Sequence, residues 1–531
     1  MVENFEKYVN FVIRRDRIMS SVWLVALAVF AWALAAIYPD LFPDEAAMQG
    51  TIATMNTPPM IAMMGPLYGL DAVTPAIIMG QQCLIWFAIA VIIMNIFFVN
   101  RYTRADEELG RQEMLVALPF GRLTNSAVML CLSFVLNIAA ALFIALFTLV
   151  TGVEGVSVIG AFAYGLSVGM QGFVFAMLTL LAAQLFSTAR ASMGVAFALM
   201  GVSYMLRAYG DMNNNIISYI SPMGLGLKVE AFYSDNFIPI IILFAEALVI
   251  AAIALWINSR RDIGMGIFPA RKGKMHASKF LQTPVGFAWR LVRGGFYAWA
   301  IGIFAIGASY GSVIGELDIF IEGNEMIKQV LQGNGGTSVL VDAYIALLGC
   351  MTALLVSIPL INCINRLRTE EKRGRLEPII ATSIPRKTVF GSFILVAVFE
   401  TIVLTFFGVL GLYMAAMATE LVDFWIIMKA FFTYLPALFL MFSLAVFIVG
   451  LLPKLKSLIW VLFGYSFMIF YFGRLFADKI PEIILKLSPF GNIPQIPVEE
   501  FSAIPLIILC VTSVILCVIG IMGFERRDVR S

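Results

Sequence analysis

Apolar runs long enough to cross a bilayer recur along this chain, separated by polar segments. A helical span needs about 20 predominantly apolar residues to cover a hydrocarbon core of about 30 Å. Runs that qualify lie near 18–38, 78–99, 124–151, 159–187, 192–208 and 237–257. After a polar stretch, six more lie near 295–314, 342–364, 389–416, 425–452, 458–474 and 503–523. The pattern predicts an all-α polytopic membrane protein of about 12 transmembrane helices. The shortest runs are the fifth of each half.

The polar segments repeat as well. Between spans two and three lies Arg104-Ala105-Asp106-Glu107-Glu108-Leu109-Gly110-Arg111-Gln112-Glu113, and between spans eight and nine lies Arg368-Thr369-Glu370-Glu371-Lys372-Arg373-Gly374-Arg375-Leu376-Glu377. At one offset of 264, Arg104, Glu107, Gly110, Arg111, Glu113, Ala117 and Arg122 recur as Arg368, Glu371, Gly374, Arg375, Glu377, Ala381 and Arg386. Unrelated stretches of this length would share about one identity, so the chain is internally duplicated. Shorter echoes keep the order. Ser221-Pro222-Met223-Gly224 recurs as Ser488-Pro489-Phe490-Gly491, Arg260-Arg261-Asp262 as Arg526-Arg527-Asp528, and Arg14, Arg17 and Trp23 as Arg290, Arg293 and Trp299. Six spans per half give both halves one orientation, a parallel repeat about an axis along the membrane normal. The expected domains are a first half at 1–257, a cytoplasmic linker with an interfacial helix at 258–294, and a second half at 295–531.

Composition agrees with a lipid solvent: 61% of the 531 residues are hydrophobic and 13% are charged, against about 25% charged in soluble chains. The net charge of +2 gives no reason to invoke nucleic acid. The single histidine, His276, cannot form a metal cluster alone, and a Ser–His–Asp set is equally remote. The six cysteines lie within or at the edges of apolar runs, as small packing residues do. With both termini inside, 29 of the 36 Lys and Arg fall in cytoplasmic segments, which is the orientation that the positive-inside rule selects. No cleavable signal peptide is evident, and the first apolar run is long enough to span.

Read as a helix, each repeated loop would place Glu107 four residues before Arg111, Arg104 before Glu108, and Glu371 before Arg375. Gly110 and Gly374 fall inside that pattern, where glycine costs about 1 kcal/mol relative to alanine. Each loop continues into an apolar turn containing Leu115 or Ile379. The plain alternative is a solvated helix kept out of the bilayer by its charges; a short amphipathic helix with a close-approach glycine also suits docking on a partner protein. Phe5 to Ile18 and Phe280 to Val292 mix aromatics with arginine and are expected to lie in the headgroup region. The outer segments 209–236 and 475–502 stay moderately apolar; they are either plain loops or, the favoured reading, helices that fold partly back into the membrane. Glu246 and Glu400 fall near mid-depth of spans six and nine, where an ionisable group is a candidate for the substrate path unless protonation or a hydrogen bond makes it structural. No G-x-x-x-x-G-K-[ST] loop occurs, so this chain does not cradle ATP by that route. An enzyme has little to stand on.

The loop pattern Arg-x-x-Glu-Glu-x-Gly-Arg-x-Glu-x-Leu, with its second copy Arg-x-Glu-Glu-x-x-Gly-Arg-x-Glu-Pro, resembles the permeases of type 2 ATP-binding-cassette exporters. The nearest group is the fused twelve-span permeases of polyketide-antibiotic and tetronasin-type exporters. The Ser-Pro-x-Gly segments, Arg260-Arg261-Asp262-Ile263-Gly264 and Phe268-Pro269-Ala270-Arg271 resemble that family too. The resemblance implies a cell-membrane exporter, bacterial and multi-pass, moving antibiotics, drugs or other amphiphiles along a path between the halves. It implies a separate cytosolic ATPase, usually in two copies, carrying the ATP and magnesium and docking on residues 101–122 and 366–386. No cofactor is expected in this chain. The coupling residues it implies are Arg104, Glu107, Gly110, Arg111, Glu113 and Leu115, with Arg368, Glu371, Gly374, Arg375, Glu377 and Ile379. The second loop departs by carrying Lys372-Arg373 where the first has Glu108-Leu109, so the two docking faces need not be equivalent. A major-facilitator secondary transporter shares the architecture, but its loop wants an Asp-Arg pair and basic residues after the second glycine, whereas here an acidic cluster precedes the glycine.

The topology is directly testable. In a cysteine-free background, a cysteine placed at Ser278 should be labelled only from the cytoplasmic side. Labelling from outside intact cells overturns the orientation.

Overall fold

Backbone in lipid has no water to satisfy its N–H and C=O groups, so apolar runs of this length fold as helices. The computed structural model describes residues 4–41, 48–49, 51–52, 55–70, 73–116, 120–262, 264–268, 275–314, 337–382, 384–417, 422–472 and 487–527. The helices of the first part are α1 Phe5–Leu41, α2 Pro58–Met64, α3 Pro75–Glu108, α4 Arg111–Val116, α5 Thr124–Leu149, α6 Val158–Leu185, α7 Ala189–Met212, α8 Ile217–Ile220, α9 Pro222–Leu227 and α10 Ile238–Arg260. Those of the second are α11 Pro284–Ile314, α12 Thr337–Lys372, α13 Glu377–Ile380, α14 Arg386–Ala416, α15 Phe424–Leu451, α16 Leu458–Phe472 and α17 Ala503–Arg526. Among the described residues, 11 helices are long and apolar enough to cross a membrane, and α16 is a shorter apolar helix where the eleventh span is expected. The protein is an all-α polytopic membrane protein.

The chain divides into two compact units, Met1–Gly273 and Lys274–Ser531. The division therefore falls inside the 258–294 segment, whose ends belong to different units. Inside each unit the same pairs of helices pack. In the first, α1 lies on α5, α3 and α10 lie on α6, and α7 touches α3. In the second, α11 lies on α14, α12 and α17 lie on α15, and α16 touches α12.

Small residues permit these approaches, because helices in lipid associate by close packing rather than by the hydrophobic effect. A Cβ on Gly411 would run into the Phe304 carbonyl of α11, and one on Gly450 of α15 into Gly520 of α17. In the first unit Asn95 of α3 and Asn137 of α5 exchange two amide hydrogen bonds, 2.8 and 2.9 Å, fully buried.

The structure changes the expectation of two interfacial helices. The aromatic–arginine stretch at the N-terminus is not a separate helix in the headgroup plane; it runs unbroken into the first span as the 37-residue α1. That helix is about 55 Å long at 1.5 Å per residue. In the second unit, residues from Pro284 likewise continue straight into span seven as α11. The segment 209–236 is no plain loop. Ser221 caps α9 by accepting from the Gly224 N–H, all six residues of α9 are buried, and Ser167 of α6 donates to the Gly226 carbonyl at 2.8 Å. Its counterpart lies outside the described residues at 475–486; beyond it, Pro489 and Phe490 are buried in a short turn.

Candidate functional site

The repeated loop begins as the end of α3, where the helix widens into a π turn at Arg101–Ala105. It stops at Gly110, whose φ of +70° is the left-handed conformation that glycine adopts without a Cβ clash. Gly374 ends α12 in the same way, with φ +66°. Neither glycine is mid-helix, and neither is a close-approach residue, since a Cβ at either would meet nothing within 4 Å. None of the expected i,i+4 pairs forms. Arg111 turns back to Asp106 (2.9 Å) rather than to Glu107. Glu108 accepts from the Ala189 N–H at the start of α7 (2.8 Å) rather than pairing with Arg104. Arg375 bonds Glu370 (3.4 Å), not Glu371.

Glu107 is instead the centre of a buried knot, 6% exposed beside Arg104 at 1%. It accepts from Arg104 Nη1 at 2.9 Å, from Arg261 Nη1 and Nη2 at 2.7 and 2.8 Å, and from the Gly264 N–H at 2.6 Å. Arg261, just past the end of α10, also donates Nε to Gln184 near the end of α6 (2.7 Å). Its carbonyl accepts from Arg122, which stands just before α5. One carboxylate thus ties together the ends of α3, α6 and α10 and the approach to α5.

The second unit builds the same knot. Glu371, 1% exposed, accepts from Arg368 at 2.9 Å and from Arg527 at 2.7 Å. Arg386, the counterpart of Arg122, donates to the Arg527 carbonyl at 3.0 Å. A second buried carboxylate sits beside each: Asp106 holds Arg15 of α1 and Arg111, while Glu370 holds Arg366 and Arg375.

This geometry sorts the expected coupling residues. Arg104, Glu107, Arg368 and Glu371 face inward and are enclosed within their own units. Arg111, Glu113, Arg375 and Glu377 are exposed, with Gly110 and Gly374 at the turns. Leu109 and Met114 add exposed apolar surface, at 60% and 66%. Ile379 is half-buried against the core of the second unit, so it is no free anchor. The side chain of Leu115 lies outside the described part of the structure. Glu400 is buried, 1% exposed, beside Cys363 of α12, and Glu246 is half-buried on α10.

Sequence reasoning found the Arg260-Arg261-Asp262 echo without finding its partner. The signal was present: Arg261 and Arg527 recur at nearly the offset that relates Glu107 to Glu371. It also missed Arg207, which is fully buried and caps α2 by donating to the Ala62 and Met63 carbonyls at 2.7 and 3.1 Å.

Residues 281–525 match the family model of the C-terminal domain of the multidrug efflux system permease Rv1217c. Over 527 residues, 98% of this chain and 94% of the relative, the sequence is 31% identical to the multidrug efflux system permease protein Rv1217c of Mycobacterium tuberculosis (strain ATCC 25618 / H37Rv). The chain belongs to this permease family. It is an exporter-type permease of the ATP-binding-cassette class, a transport protein rather than an enzyme, and its two ion knots are part of a multi-pass membrane permease.

Removing the partner of a buried charge costs about 3–5 kcal/mol. Arg261→Ala should therefore lower the midpoint of thermal unfolding of the permease and speed proteolysis between residues 262 and 268. Arg261→Lys should recover only part, because an ammonium cannot reproduce the two-pronged guanidinium contact. Unchanged unfolding in Arg261→Ala would show that the knot does not hold the segment.

Proposed function

We propose that this permease exports an antibiotic, drug or other amphiphilic molecule across a bacterial cell membrane, with both termini cytoplasmic. The work is supplied by ATP and magnesium on a separate cassette ATPase, two copies of which dock on the exposed faces of 101–122 and 366–386. The observation that carries this reading is the duplicated knot. Each unit anchors a loop to the ends of its spanning helices through one buried carboxylate, so a push on the loop is delivered to the helices without slack. Its Mycobacterium tuberculosis relative, a multidrug efflux system permease, supports the cargo class.

The buried members transmit and the exposed members touch. The first face offers Leu109, Arg111, Glu113 and Met114; the second offers Lys372, Arg373, Arg375 and Glu377. The first is the more apolar and the second the more basic, so the two ATPase contacts differ in chemistry. Glu246 and Glu400 are the intramembrane carboxylates available to a cationic group of the cargo.

The variant Leu109→Ala/Met114→Ala/Arg373→Ala/Glu377→Ala changes only exposed positions and should remain folded and inserted. It should lose co-purification with the ATPase and lose ATP-dependent export by about tenfold or more, the effect of about 1.4 kcal/mol at the interface. Export at the wild-type rate, or transport by purified permease alone on a proton gradient, overturns the reading. Glu246→Gln/Glu400→Gln should reduce export of a cationic drug severalfold; unimpaired export removes both from the substrate path.

A further inference from the structure

At the loop end of the second unit, a cavity of about 380 Å³ is lined by Asn362, Asn365, Arg366 and Thr369 of α12, and by Lys456, Ser457 and Trp460 at the start of α16. The four α12 positions follow i, i+3, i+4 and i+7, one face of a helix. That face is wholly polar, in a span whose other faces are packed with Ile, Leu and Cys.

The lining is positive. Arg366 pairs with Glu370 at 2.9 Å, but Glu370 also holds Arg375, so two guanidiniums share one carboxylate. Lys456 is half-buried and makes no ion pair among the described residues. The buried Oδ1 of Asn365 has no hydrogen-bond partner among them. Ser457 stands directly before the 15-residue α16, whose N-terminal amides favour an anion. Beside these groups, Leu455, Leu458 and Val461 are 53%, 53% and 67% exposed and Trp460 36%. Cations rimmed by exposed apolar side chains and a tryptophan fit a molecule with a phosphate at one end and hydrocarbon at the other.

We propose that this cavity binds the headgroup of one anionic phospholipid, such as phosphatidylglycerol. Lys456 and the start of α16 receive the phosphate, Asn365 Oδ1 accepts from a headgroup hydroxyl, and the acyl chains lie along Leu458 and Val461. The site is single. At the offset of 264 the four α12 positions become Phe98, Arg101, Tyr102 and Ala105. There Arg101 and Tyr102 are both committed to Asp16, at 2.9 and 2.8 Å.

Native mass spectrometry of the full-length permease in a neutral detergent tests this, with phosphatidylglycerol, phosphatidylcholine and inorganic phosphate as probes. One phosphatidylglycerol should be retained in preference to phosphatidylcholine. Lys456→Gln should weaken that retention about fivefold, the contribution of one basic residue near an anionic headgroup. Asn365→Ala should weaken it too, Lys456→Arg should restore it, and the exposed control Lys454→Gln should leave it unchanged. Equal retention by Lys456→Gln and wild type overturns the site. Binding of inorganic phosphate without phosphatidylglycerol overturns the lipid assignment and makes the ligand a soluble phosphate.

Discussion

A carboxylate shut away from water must find its counter-charge within the protein, and Glu107 and Glu371 each find one on an arginine just past a helix end, more than 150 residues away in sequence. The pairing of Glu107 with Arg261, and of Glu371 with Arg527, closes each unit at its loop end. It fixes where the second span stops, where the sixth stops, and, through Arg122 and Arg386, where the third begins. A buried pair of this kind adds little net stability compared with a well-packed apolar contact, yet is costly to break from one side. Such an interaction specifies an arrangement more than it strengthens one.

The left-handed glycines follow from the same constraint. With Glu107 turned inward to Arg261, the chain must reverse within a few residues to leave Arg111 and Glu113 outside. Gly110 provides the reversal, and Gly374 repeats it. The knot and the turn thus form one device: a charged anchor inside, a sharp stop, and a short exposed segment beyond it. Duplication copied the anchor faithfully and let the exposed segment drift, Glu108-Leu109 in one copy and Lys372-Arg373 in the other. Buried positions answer to a partner in the same unit, whereas exposed ones are less constrained by it.

Within the spans the rule is different. Charge is nearly absent, and helices are held by glycine contacts and by paired amides such as Asn95 with Asn137. Among the described residues of the second unit's membrane region, the enclosed carboxylate of Glu400 and the polar face of α12 at Asn362 to Thr369 stand out because their surroundings are otherwise apolar.

Helical class, the places of the apolar runs and the duplication of the two loops were legible in the sequence. They rest on local properties: the length of apolar runs, the hydrogen-bond demand of backbone in lipid, and residue identity at a fixed offset. Two of the expected i,i+4 pairs, Glu107–Arg111 and Glu371–Arg375, span the glycine turns that end the helices, and the third is lost because Glu108 turns to the Ala189 N–H. Nor could the sequence assign Glu107 to Arg261, though both were visible as repeated residues; a pair separated by 154 positions exists only once α3, α6 and α10 have packed. Local chemistry determined which segments are long and apolar enough to cross the membrane and which charged residues recur. Tertiary packing alone decided which of those residues turn inward as anchors and which remain exposed, because burial is a property of neighbouring helices and not of any one of them.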